Sequence, residues 1–199
     1  VYLGVMYLLP FYLQAGMHYN TAVSGLYLLI PPVVTAIMGI PLGRWSDRIG
    51  RRPFAIASAL ALIAITFMYL FIVPETGSVL LLAGLLIMGL FWGFAGGPVA
   101  SRVVDCAPRD EKATGSSLMV TAIYLGSVIG TALFATIFTI ATAGEGIVSF
   151  SNLETGLFMD GFHVSMLIGL LLSVVTLLLS VVVREKKESA ETIGWSSAR

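Results

Sequence analysis

The chain has 199 residues, of which 57 % are hydrophobic and only 11 % charged, with a mean hydropathy of +0.95. Soluble globular domains carry about a quarter charged residues, so this composition excludes that class and predicts an integral membrane protein. The net charge of zero hides charges segregated by side, and one cysteine, Cys106, excludes an internal disulfide.

The sequence opens at Val1 inside an apolar run, with no initiator methionine, basic n-region or small-residue cleavage site, and reads as the C-terminal piece of a longer polypeptide. The first span is expected over about 1–17, with Pro10 removing one backbone donor. After a polar turn, 18–21, the second span runs over about 22–42. It carries Pro31, Pro32 and Pro41, and Gly39 and Gly43 stand four apart, so a bent and closely approached helix is expected. The third span, about 53–73, starts on Pro53 and has almost no polar side chain, as suits a helix facing lipid and scaffold. The fourth, about 79–101, places Gly89, Gly93 and Gly97 near one face, a surface for helix packing.

The fifth span, about 113–143, is the most polar, with hydroxyl residues from Ser116 to Thr142 and the pair Gly126 and Gly130. Small hydroxyls bond back to their own helix, so the segment still inserts; it reads as a helix buried in protein or lining a cavity. The sixth, about 161–183, is nearly pure Leu, Val and Ile, with His163 as a wet residue at its start, and a polar tail fills 184–199.

Between the second and third spans lies a hydrophilic island, Gly43 to Arg52, expected to be a tight turn. All eleven Lys and Arg fall in three places: four in the island, three in 102–112 and four in the tail. The alternate loops have none, so the island, the second charged loop and the tail are expected to be cytoplasmic, with six spans between them. None of the acids falls mid-membrane.

The island's Gly43, Asp47, Arg48, Gly50, Arg51 and Arg52 resemble the loop signature of the major facilitator superfamily at all six positions. The stretch from Leu9 to Gln14, Gly25-Leu26 with Leu29-Ile30-Pro31, Thr114 to Ser117, and Leu125 to Gly130 are similar to the C-terminal half of its fourteen-span drug:proton antiporters. The resemblance implies an all-α membrane protein whose six transmembrane helices form two inverted three-helix repeats, one half of the transporter. The glycine-rich antiporter signature, with its Gly-Pro pair, has only an echo in Gly126 and Gly130. The family keeps its membrane-embedded acid and arginine largely in the N-terminal half, so a complete proton-coupling site is not expected within these residues.

In such a fold the first, second, fourth and fifth helices of a half line the central cavity, while the third and sixth face lipid. The resemblance therefore implies Tyr7, Phe11, Gln14, Tyr27, Trp92, Met119 and Tyr124 as cavity residues. Aromatic rings and methionine suit an amphipathic or cationic organic substrate; ordinary packing or an interfacial aromatic belt is the competing account. The island would act as a conformational switch, with Asp47 as a latch or, alternatively, as a mere balance for the arginines.

The expected function is proton-coupled efflux of amphipathic or cationic organic compounds, multidrug type, by alternating access in the plasma (inner) membrane. The expected partners are the N-terminal half, a small organic substrate, the proton and the lipid bilayer. A non-transporting scaffold or partner half, and a self-pairing half-transporter, are the alternatives. No nucleophile pair or Gly-x-Ser-x-Gly turn is present, so no enzyme is expected. No Cys/His cluster has metal-ligand spacing, and neither a cofactor nor a nucleic-acid partner is expected.

Overall fold

A computed structural model describes residues 1–50, 52–73, 77–105, 107–108, 111–142 and 155–182. Cys106, Arg51 and the tail 184–199 lie outside them. The described chain is a bundle of helices: α1 (Tyr2–Phe11), α2 (Thr21–Leu28), α3 (Ile30–Ile49), α4 (Arg52–Leu70), α5 (Gly77–Phe94), α6 (Ala100–Asp105), α7 (Lys112–Thr142) and α8 (Thr155–Val182). Two π-helical turns interrupt the series, Tyr12–Gly16 directly after α1 and Ala95–Val99 between α5 and α6.

Among the described residues, five segments are long and apolar enough to cross a membrane: Thr21–Ile49, Arg52–Leu70, Ser78–Gly97, Lys112–Thr142 and Thr155–Val182. The first expected span is shorter, ten residues of α-helix followed by five in the π turn, against the roughly 17 a perpendicular crossing needs. It is nonetheless the centre of the bundle. Val5, Leu8, Leu9, Tyr12 and Leu13 are all fully buried, and Phe134, Phe138, Phe158 and Phe162 of α7 and α8 share their cluster.

The second expected span is a bent pair. Asn20 caps α2 by accepting from the Val23 amide at 2.8 Å. The helix breaks after Leu28 because Pro31 and Pro32 bring no amide hydrogens to its last carbonyls.

Three sequence expectations are corrected. The island is not a turn over its ten residues: α3 stays helical through Ile49, and the reversal falls on Gly50, whose φ of 98° is open to glycine. Polarity marks where a helix leaves lipid, not where its hydrogen bonds stop, and Arg44, Trp45, Ser46 and Arg48 are all compatible with a helix. The sixth span begins at Thr155 rather than Gly161, because Phe158, Met159 and Phe162 bury one face of a turn whose other face is polar. The fourth does not run unbroken to Ser101, since Ala95–Val99 is π-helical and contains Gly96, Gly97 and Pro98.

The packing pairs are α4 with α8 and with α5, α3 with α5, α1 with α7, and α7 with α8. Exchanging the first three spans for the last three maps the α1–α7 contact onto α5–α3 and the α4–α8 contact onto itself, as two inverted three-helix repeats would give. The third and sixth spans are therefore not simply peripheral. They bury Ile65, Thr66, Ser165, Met166 and Ser173 and turn Leu60, Phe67, Leu171, Val175 and Leu178 outward. Thr66, Ser165 and Ser173 donate to carbonyls of their own helices at 2.7–2.8 Å, which removes the cost of burying a hydroxyl.

Since lipid is as apolar as a side chain, helix association here rests on close packing. A Cβ at Gly89 would lie 2.5 Å from Val34 Cβ, and one at Gly93 would lie 2.7 Å from Leu42. Thr35 adds a bond from Oγ1 to the Gly89 carbonyl at 2.9 Å. Those two glycines seat α3 on α5. At Gly97 and Gly126 a Cβ would meet nothing within 4 Å, and at Gly130 only the Val1 nitrogen at 3.5 Å.

Candidate functional site

A cavity of about 530 Å³ opens between the start of α1, the end of α5 with its π turn, and the first half of α7. Its most distinctive wall is a ring cluster. Tyr2 stacks on Phe91 with centroids 5.0 Å apart and meets Trp92 edge-on at 5.6 Å, while Phe91 and Trp92 stand edge-to-face at 5.9 Å. Met119, Ile123, Gly126 and Ser127 form the opposite wall. Among the described residues no charged side chain lines it. The π turn leaves Ala95 and Gly96 on the cavity and passes a bare backbone along its edge.

Of the residues expected from the sequence, the structure brings Trp92 and Met119 together here. Tyr2 and Phe91 are additions. Phe91 could have been read from its place beside Trp92, whereas Tyr2 stands five residues before Tyr7 and off its helical face.

Tyr7, Phe11 and Gln14 share a separate stripe on the first span at spacings of four and three. Tyr7 and Phe11 meet edge-on at 5.4 Å, and Gln14 is exposed beyond them. Tyr27 stacks on Tyr19 at 5.5 Å. Tyr124 is 68 % exposed and points away from the cavity. It stands in a row with Ser117, Thr121 and Thr139, all exposed on the side of α7 opposite the cavity-lining Met119, Ile123 and Gly126. Each of these three hydroxyls donates to its own helix at 2.8–2.9 Å.

In the island, Gly43 and Asp47 sit one turn apart on α3, with Asp47 exposed and open space around Gly43. Arg48 is exposed in the last turn. Gly50 makes the reversal, and Arg52 opens α4, donating from Nη2 to the Val181 carbonyl at 3.3 Å. That bond ties the island to the end of α8. At the opposite end of the bundle, His163 Nε2 lies 2.9 Å from the Ile72 carbonyl. The imidazole serves a carbonyl past the end of α4 that has no helical partner. His163 is half-buried rather than wet.

The sequence profile of the Major Facilitator Superfamily matches residues 1–131. The chain belongs to this superfamily. Superfamily relatives include the multidrug resistance protein B homolog of Mycobacterium tuberculosis, 30 % identical over 139 residues, which is 68 % of this chain and 26 % of that protein. The riboflavin transporter RibZ of Clostridioides difficile is 27 % identical over 137 residues, 68 % of this chain and 30 % of RibZ. The class E tetracycline resistance protein of Escherichia coli is 31 % identical over 106 residues, 53 % of this chain and 25 % of the relative. The chain thus spans less than a third of each of these superfamily members. No solved structure matches it.

Proposed function

We propose that the chain forms the C-terminal half of a proton-coupled antiporter that exports amphipathic or cationic organic compounds by alternating access, with its charged loops and tail in the cytoplasm. The ring cluster Tyr2, Phe91 and Trp92 at the cavity carries this reading, because it offers ring faces and edges that hold a flat or cationic solute by stacking and cation–π attraction. Met119 adds adaptable apolar contact, which suits substrates of varied shape. The multidrug and tetracycline resistance relatives point the same way.

No acid of the sequence falls in the middle of an expected span, and Asp47, Glu111 and Asp160 are exposed at the end of α3, just before α7 and near the start of α8, so in this reading the carboxylate that exchanges protons belongs to the N-terminal half. The exposed hydroxyl row of α7 and the open arc at Gly39 and Gly43 of α3 are the surfaces offered to that half.

The test is proton-driven uptake of a lipophilic cation by everted vesicles containing the full-length protein. Trp92→Ala should raise KM roughly fivefold, equivalent to about 1 kcal/mol of lost stacking, while Trp92→Phe should retain most affinity. No uptake under a proton gradient would favour the scaffold reading. A neutral flat solute belongs in the same panel, since no charged side chain among the described residues lines the cavity and one relative is a riboflavin transporter.

A further inference from the structure

The outer surface of α3 divides into three arcs when its residues are set 100° apart. One arc packs on α5 through Pro31, Val34, Thr35 and Leu42. A second holds Pro32, Ala36, Gly39, Gly43 and Asp47, all small apart from the proline and the carboxylate. The third is bulky and apolar along most of its length and ends in charge: Val33, Ile37 and Ile40 are 51–66 % exposed, followed by Arg44 and Arg48, with Trp45 beside them toward the α5 side. Along the border between this last arc and the one packed on α5 lies a groove of about 460 Å³, with Met38, Pro41 and the buried Leu42 as its apolar part and Arg44, Trp45 and Arg48 at its polar end.

We propose that this groove is a site for an anionic phospholipid, its phosphate held between the Arg44 and Arg48 guanidinium groups and one acyl chain lying along Met38, Pro41 and Ile37. Three features select that occupant. Arg44 and Arg48 stand one helical turn apart, so both forks can reach a single phosphate group from the same side, and no carboxylate among the described residues lines the groove. The exposed apolar arc from Val33 to Arg44 covers eleven residues, about 16 Å along the axis, which is one leaflet of a hydrocarbon core about 30 Å thick. Trp45, 59 % exposed between the arginines, is the amphipathic ring expected at the headgroup level. A soluble anion would use the arginines and leave the apolar part of the groove unfilled. A protein partner would be expected on the small-residue arc, where helices approach closely. The inference stands on the membrane location of α3 and not on the transport reading.

The experiment places the full-length protein, with Trp92→Phe, Trp195→Phe and any other tryptophan outside this chain replaced, in phosphatidylcholine vesicles so that Trp45 is the sole reporter. Brominated phosphatidylglycerol or brominated phosphatidylcholine is added at equal mole fraction, and quenching of Trp45 is measured. Phosphatidylglycerol should be enriched at Trp45 roughly fivefold for each arginine engaged. Arg44→Gln with Arg48→Gln should abolish the preference, and Arg44→Lys with Arg48→Lys, which keeps charge and fold, should retain part of it. Equal quenching by both lipids would reduce Trp45 to an ordinary interfacial ring and overturn the site. A preference surviving both glutamines would assign it to general surface charge, and an absence of quenching by either lipid would show the face covered by protein. Both would equally overturn the proposal. None of these readouts depends on transport.

Discussion

Gly89 of α5 and Val34 of α3 are in backbone-to-side-chain contact, with room for no atom between them: a Cβ on Gly89 would sit 2.5 Å from the Val34 Cβ and 2.8 Å from the Pro31 carbonyl oxygen. The neighbour on the second count is backbone and cannot rotate away. Gly89→Leu is therefore expected to separate α3 from α5 and to lower the thermal stability of the purified protein strongly, by about 1–3 kcal/mol or more as overpacking usually costs. Leu171→Phe, on a side chain that is 61 % exposed on α8, should leave stability unchanged. Comparable losses for the two in a detergent melting assay would contradict the packing described.

The His163–Ile72 bond makes a second, independent prediction. His163→Ala leaves a carbonyl after the end of α4 without its donor, expected to cost about 1–3 kcal/mol in a half-buried setting. Glutamine at the same place should recover part of this, since its amide also donates. Hydrogen exchange of the amides around residues 68–72 is the local readout, and unchanged protection in the alanine variant would show the bond to be idle.

Turn and latch are separable within the island. Gly50, with φ 98° and ψ 160°, occupies a region nearly closed to other residues, so Gly50→Ala should cost on the order of 1–3 kcal/mol and reduce the yield of folded protein. Asp47 lies exposed on a helix, where Asp47→Asn should leave insertion and yield near normal. If Asp47 latches the halves, that variant lowers transport by favouring the inward-open form, a change of about 1.4 kcal/mol shifting the ratio tenfold. Unchanged transport together with unchanged labelling of cytoplasmic-gate cysteines would leave the island as a signal of topology alone.

Topology itself has a direct check. In a Cys106→Ser background, a cysteine introduced at Arg48 or Lys187 should resist a membrane-impermeant maleimide added to intact cells, and should react once the membrane is opened. Reaction from outside at either position would invert the orientation.

Much of the bundle could be read from residue order: five of the apolar runs are helices of spanning length, the first is a shorter helix closed by a π turn, and the helix of the second breaks just before Pro31 and Pro32. The misplacements have two physical origins. Hydrophilicity marks Gly43 as an expected membrane edge and carries no information on the backbone, which goes on as a helix to Ile49. In the sixth span, a turn that buries Phe158 while exposing Gly156 and Asp160 looks like a loop when averaged. For the cavity, Trp92 and Met119 were visible as large soft side chains on glycine-rich or hydroxyl-rich helices. Tyr2 was not, since its meeting with Phe91 joins residues far apart in the chain and no local period encodes it. The glycine ladder was half legible: spacing fixes which glycines share a face, but only the neighbouring helix decides which of them is filled, and α3 reaches Gly89 and Gly93 without reaching Gly97.

The hydroxyl row on α7 has a kinetic side. Ser117, Thr121 and Thr139 each donate to a carbonyl four residues back that already receives the amide of its own helical turn. When such a hydroxyl swings outward, the carbonyl it leaves is still satisfied, so the only group needing a new partner is the hydroxyl, and any passing acceptor supplies one. The exchange has nearly equal free energy before and after it. Ser117 and Thr121 stand one turn apart and Thr139 five turns further along α7, so the surface meets a migrating molecule or a sliding helix with separate shallow footholds and no single deep well.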